Sequence, residues 1–125
     1  MSPLRNILGV YGDRVIAEEV FELMLLNAGQ SSESILFDVS PYFTIESAGL
    51  LKKGLSSNND RFRAWTVWQL RKVGYQFTQE EIDKLMRDES WMVRANAAIA
   101  APQLTKGLAQ TDTNPFVRFA SSLND

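Results

Sequence analysis

The sequence predicts an all-α fold, a small α-solenoid of antiparallel helix pairs with a helical N-terminal cap, and three observations predict it. Residues 62–70 read FRAWTVWQL, 93–101 read VRANAAIAA and 117–125 read VRFASSLND. In each, an apolar residue precedes an Arg (Arg63, Arg94, Arg118), and four residues after the apolar one stands a small residue (Thr66, Ala97, Ser121) that lets a neighbouring helix approach closely. The starts lie 31 and then 24 residues apart, and each gap holds one more short helical pattern, so the implied plan is two helices per unit. Asp88 and Asp112 each lie six residues before the Arg of their unit, in the turn that precedes the helix.

The elements follow in order. Ser2-Pro3 starts a short helix through Leu8, which Gly9 and Gly12 end. Asp13 caps a stronger helix, with Ile16, Val20, Leu23, Met24 and Asn27 on one face and Glu18, Glu19 and Glu22 away from it; Gly29 ends it. The stretch 31–39, with ILFDV, reads as a helical turn capped by Ser31 or Ser32, because a lone strand leaves its backbone unsatisfied. Ser40-Pro41 opens a helix expected to reach about Leu55 and to bury Thr44, Ala48, Leu51 and Leu55. SSNN at 56–59 is a turn, and the next helix runs through Val73 to a stop at Gly74. Thr78 and Glu81 form a capping box for a helix carrying Ile82, Leu85 and Met86. After the alanine-rich helix, Pro102 opens a helix bearing Leu104 and Leu108, and Asn114-Pro115 opens the last. No Gly/Ser-rich linker interrupts the chain, which reads as one domain, 1–40 as cap and 41–125 as helix pairs.

A turn Asp followed by Val-Arg and an alanine-rich helix resembles the HEAT repeat, in particular the short HEAT-like units of the phycobilisome-lyase type. The resemblance covers 41–125. The first unit departs from it, with Ser57 in the place of the Asp and Trp65, Val67 and Trp68 in place of small residues. It implies an extended stack that binds another protein as an adaptor or scaffold. It also carries two further expectations: an accessory subunit of a phycobilisome or bilin-lyase system, and a nucleic-acid-associated module like the HEAT-like DNA-repair glycosylases. For the latter, no catalytic Asp with flanking aromatics matches a residue of this chain.

Composition narrows the chemistry. The 125 residues include no Cys and no His, so disulfides, common triads and the usual zinc or haem ligands are missing, and neither a cofactor nor a metal is expected. The carboxylate pairs Glu18-Glu19, Glu80-Glu81 and Asp88-Glu89 point about 100° apart on a helix and do not converge on one atom; a non-enzymatic protein is the expectation. No run is long and apolar enough for a membrane span, the N-terminus lacks a secretory pattern, and a cytoplasmic protein is expected. Net charge is −2, which argues against general nucleic-acid binding, but it is unevenly placed: 1–60 hold 4 Lys/Arg and 8 Asp/Glu, 61–125 hold 9 and 7.

Three groups of residues are candidates for function. Arg63, Arg94 and Arg118 are either a structural ladder, each bridging the turn Asp88 or Asp112 of its own or the adjacent unit, or a positive stripe facing a partner. Trp68 lies roughly 120° from the core line of its helix, near Arg61 and Lys72, where an aromatic between cations suits binding; Ile99 and Leu123 share its repeat position, which equally suits a buried contact between units. In the last helix Phe116, Phe119, Ala120 and Leu123 share one face while Val117 and Ser121 follow the core line. The chain stops two residues after Leu123 without a polar cap, so this Phe stripe is expected either to fold under Leu104 and Leu108 or to dock a partner or a second copy.

Overall fold

The computed structural model describes residues 14–27 and 33–123, and the described residues contain helices and turns but no strand. The helices are α1 (Arg14–Leu26), α2 (Glu33–Val39), α3 (Ala48–Leu51), α4 (Asp60–Lys72), α5 (Gln79–Leu85), α6 (Trp91–Ala100), α7 (Pro102–Gln110) and α8 (Pro115–Ala120), with 3₁₀ turns at Ser40–Tyr42, Ile45–Ser47 and Lys52–Ser56. The helix expected over 2–8, the Asp13 cap, the Gly29 stop and the Ser31 or Ser32 cap lie outside the described residues. No described helix is long and apolar enough to cross a membrane.

Local chemistry sets most of the helix ends. Asn59 accepts hydrogen bonds from the N–H groups of Arg61 and Phe62 at the start of α4. At its other end Gly74 takes φ +86°, a left-handed conformation that glycine adopts without strain, and the Tyr75 N–H returns 3.0 Å to the Leu70 carbonyl. The Thr78/Glu81 capping box closes both ways, 3.1 and 2.9 Å. Asn114 caps α8 at Phe116 N, with Pro115 in the first turn.

The Arg-bearing helices form a row: α4 packs on α6, and α6 on α8. The 52–56 turn packs on α4, α5 on α6, and α7 against α5, α6 and α8. At the α4 end Phe21 of α1 is fully buried among Phe43, Phe62 and Trp65, with ring centroids 5.5–6.2 Å apart in this cluster. Gly54 closes this cluster, because a Cβ there would collide with the Thr66 hydroxyl and press on Phe21. The three small positions behave alike at the core: Thr66 and Ala97 are fully buried and Ser121 half-buried.

Three expectations change. The helix expected from Ser40 to about Leu55 is broken: Thr44 adopts extended backbone (φ −126°, ψ 177°) and forms its own box with Ser47, so the chain restarts there. Ser40 is not a cap, its hydroxyl donating 2.6 Å to Gln69 Oε1 in the core, and Thr44 is exposed while Ala48 and Leu51 are buried. In α1 the buried face is Ala17, Phe21 and Met24, with Ile16 and Val20 beside it and Leu23 exposed; the Phe21 ring, seated among aromatics, turns the helix away from the Ile-Val-Leu line. In α7 the buried residues are Thr105 and Ala109, because Thr105 satisfies its hydroxyl on the Ala101 carbonyl at 3.1 Å; Leu104 is half-buried and Leu108 exposed.

Candidate protein-interaction surface

The three arginines make one local contact in common and one that differs. In each unit the Arg donates Nη1 to the carbonyl six residues before it: Arg63 to Ser57 (2.9 Å), Arg94 to Asp88 (2.8 Å) and Arg118 to Asp112 (2.6 Å). The side chain of that earlier residue accepts from the N–H two residues on, through Ser57 Oγ from Asn59 (3.1 Å) and through Asp88 and Asp112 Oδ1 from Ser90 and Asn114 (2.9 Å each). Ser57 therefore replaces the Asp in the turn but not between units.

Between units the fork takes over. Arg63 grips Asp88 of the next unit with Nε and Nη2, both at 3.0 Å, and Arg94 grips Asp112 at 2.8 and 3.2 Å. These four side chains are 9–15% exposed. Burial alone would raise the two aspartates, but Arg63 with the Ser90 N–H, and Arg94 with the Asn114 N–H, hold both below the usual carboxylate range. The Asp88 hydrogen bond in turn raises Arg63. The guanidinium forks of Arg63 and Arg94 are thus held by carboxylates within the fold.

Arg118 differs. Its Nη1 bond is made, yet no described carboxylate meets its Nε and Nη2, and the side chain is exposed. The positions that the first two units bury, Ala64 and Val67 in α4 and Ala95 and Ala98 in α6, correspond to Phe119 and Ser122, both exposed. Phe116 and Phe119 are each 62% exposed and Leu123 54%, while Val117 and Ala120 face the core. Leu104 and Leu108 do not take up the Phe stripe. Ala120 leaves it, because Val117 and Ala120 together occupy the side turned to α6 and α7.

Trp68 sits on an adjoining face. It is half-buried, with Lys72 Nζ 4.8 Å from its ring centroid and Phe37 edge-on at 5.6 Å. A groove of about 700 Å³ runs from Phe37 past Arg61, Trp65 and Trp68 to Trp91 and Met92. Trp91 then stacks on Phe116 at 5.3 Å, which joins the groove to the α8 edge. The sequence singled out Trp68, Arg61 and Lys72 but not Phe37 and Trp91, whose only signal was an aromatic at a helix position with no assigned core role.

A second polar cluster ties the 52–56 turn to α5. Lys52 Nζ lies 2.9 Å from Glu81, the Tyr75 hydroxyl donates to Glu81 at 2.8 Å, and Lys52 also lies over the Tyr75 ring. Burial would raise Glu81, but the Thr78 N–H, Lys52 and Tyr75 hold it down to about 2; Tyr75 and then Glu81 raise Lys52. Against known proteins, the chain matches no family model, no curated protein and no solved structure.

Proposed function

We propose that the chain is a HEAT-like module, a small α-solenoid of antiparallel helix pairs capped by residues 1–40, that binds another protein without catalysis, as an adaptor or scaffold. One observation carries this reading: the α8 edge exposes Phe116, Phe119 and Leu123 beside an Arg whose two equivalents are both gripped by the next unit's Asp. Covering two such Phe side chains is worth about 3–6 kcal/mol before the costs of association. The Trp68 groove, with Arg61 and Lys72 at its side, extends the same surface through Trp91. Arg63 and Arg94 are held by carboxylates, which leaves the nucleic-acid reading without its basic stripe, and the carboxylates of Asp88, Asp112 and Glu81 are each engaged by a cation.

The test is Phe116→Ser with Phe119→Ser. Proteins captured from the source-cell extract are quantified by mass spectrometry for the parent chain and the double variant, with the melting temperature and helical circular dichroism of both. The reading expects captured partners to be lost and the fold kept; capture that survives the double variant, or that disappears with modest added salt, contradicts it.

A further inference from the structure

The α8 edge has a counterpart at the other end of the row. α1 buries Ala17, Phe21 and Met24 and turns Val15, Glu19, Glu22, Leu23 and Leu26 to solvent, residues spaced so that they share the opposite side of the helix. Leu23 is 61% exposed and Leu26 82%, an apolar strip no described element covers. Neither Glu19 nor Glu22 has an ion pair among the described residues.

Among the described residues, two exposed apolar faces therefore stand at opposite ends of the helix row with opposite charge. α1 reaches α4 through Phe21, α8 reaches α6, and α4 and α6 lie between. The α1 face carries two carboxylates and the α8 edge a guanidinium whose Nε and Nη2 meet no carboxylate among the described residues, within halves whose charges run the same way, 4 Lys/Arg to 8 Asp/Glu over 1–60 and 9 to 7 over 61–125. A second copy cannot simply prolong the ladder, because Ser57 gives the first unit no carboxylate to offer. On the outer face of α1, Glu19 and Glu22 are carboxylates without an ion pair among the described residues.

We infer that the chain self-associates head to tail, the outer face of α1 in one copy lying along α8 of the next. Glu19 and Glu22 meet the Arg118 fork, and Leu23 and Leu26 cover Phe119 and Leu123. This rests on the reading of the α8 edge as a docking surface and names its occupant. The contact is heterologous, so it propagates to chains or closes into a ring. One helix lying on one helix falls at or below the low end of the roughly 1,200–2,000 Å² buried by stable interfaces, so the assembly depends on concentration.

A charge exchange on the full chain tests this by sedimentation velocity across a concentration series. The parent chain is expected to pass from monomer to larger species. Arg118→Glu, and separately Glu19→Lys with Glu22→Lys, should each weaken association by at least about tenfold with the circular-dichroism spectrum unchanged. Mixed in equal amounts, the two variants should associate again, since one supplies an unaltered α1 and the other an unaltered α8. A parent chain that stays monomeric, association indifferent to either variant, or folded variants that do not recover on mixing would overturn the inference. A monomeric parent chain that still captures partners through Phe116 and Phe119 removes self-association and leaves the module reading standing; loss of both removes both.

Discussion

Arg94 and Arg118 hold the same place in successive helices, and the local bond of each is the same: Nη1 to the carbonyl of an Asp six residues earlier. Only Arg94 has its fork filled, by Asp112 at 2.8 and 3.2 Å. The difference separates what a unit specifies alone from what it needs a neighbour to complete. Turn and carbonyl contact are written within about ten residues and recur three times, and a side-chain cap recurs twice, at Asn59 and Asn114. The carboxylate grip and the burial of the outward face appear in the first two Arg helices and not in the described part of the third. The two ends of the row show the same contrast in apolar form. Phe21 of α1 packs against α4 with no exposed surface, whereas Phe119 on α8 meets no such covering helix among the described residues.

The largest expected effect breaks that second contrast. Phe21→Ala should cost about 3–5 kcal/mol in chemical denaturation, because it empties the centre of the aromatic cluster, and Phe119→Ala should stay within about 0.5 kcal/mol. Equal losses would mean that the α8 end is as closed as the α4 end. Next comes the ladder, where Arg94→Ala should cost about 1–3 kcal/mol. Double-mutant cycles sharpen its direction: Arg94 should couple to Asp112, whose carboxylate it grips, and be near-additive with Asp88, which offers it only a carbonyl. For Arg63 the coupling should fall on Asp88. Ala97→Leu, at a position with no exposed surface, should overpack α6 by about 1–3 kcal/mol, and an unchanged melting temperature would show that the repeat frame is misplaced.

The smallest effect concerns pH. Asp88, Asp112 and Glu81 are all held below their ordinary values in the fold, so their contribution is present above the usual carboxylate range and lost as pH falls through it, for Glu81 down to about 2. Melting temperature should therefore drop on acidification below about pH 4, and Arg63→Ala with Arg94→Ala should flatten that drop. An acid limb of the same steepness in the double variant would place the sensitivity outside the ladder.

How much of this was legible depended on distance along the chain. The capping box of Thr78 and Glu81, the Gly74 stop and the Asn114-Pro115 start were readable because each is a bond between near neighbours. The six-residue step from Asp to Arg showed that a ladder was available but not its two halves, since a carbonyl in the same unit and a carboxylate in the next are reached by one guanidinium. The 40–55 segment misled because Ser-Pro is a sound helix start, and the competing Thr44/Ser47 box restarts the chain at Thr44. In α1 a run with apolar residues on several sides leaves the buried face undecided until Phe21 finds its aromatic partners. The sequence leaves open whether Leu104 and Leu108 take up the Phe stripe, and burial shows that they leave Phe116 and Phe119 exposed.

The most direct test of the account makes one substitution at two equivalent places. Arg94→Ala and Arg118→Ala are compared by chemical denaturation at a concentration where the chain is monomeric. The account predicts a loss of about 1–3 kcal/mol at Arg94 and no more than about 0.5 kcal/mol at Arg118. Losses of the same size would contradict it, because the last rung would then be as filled as the one before it.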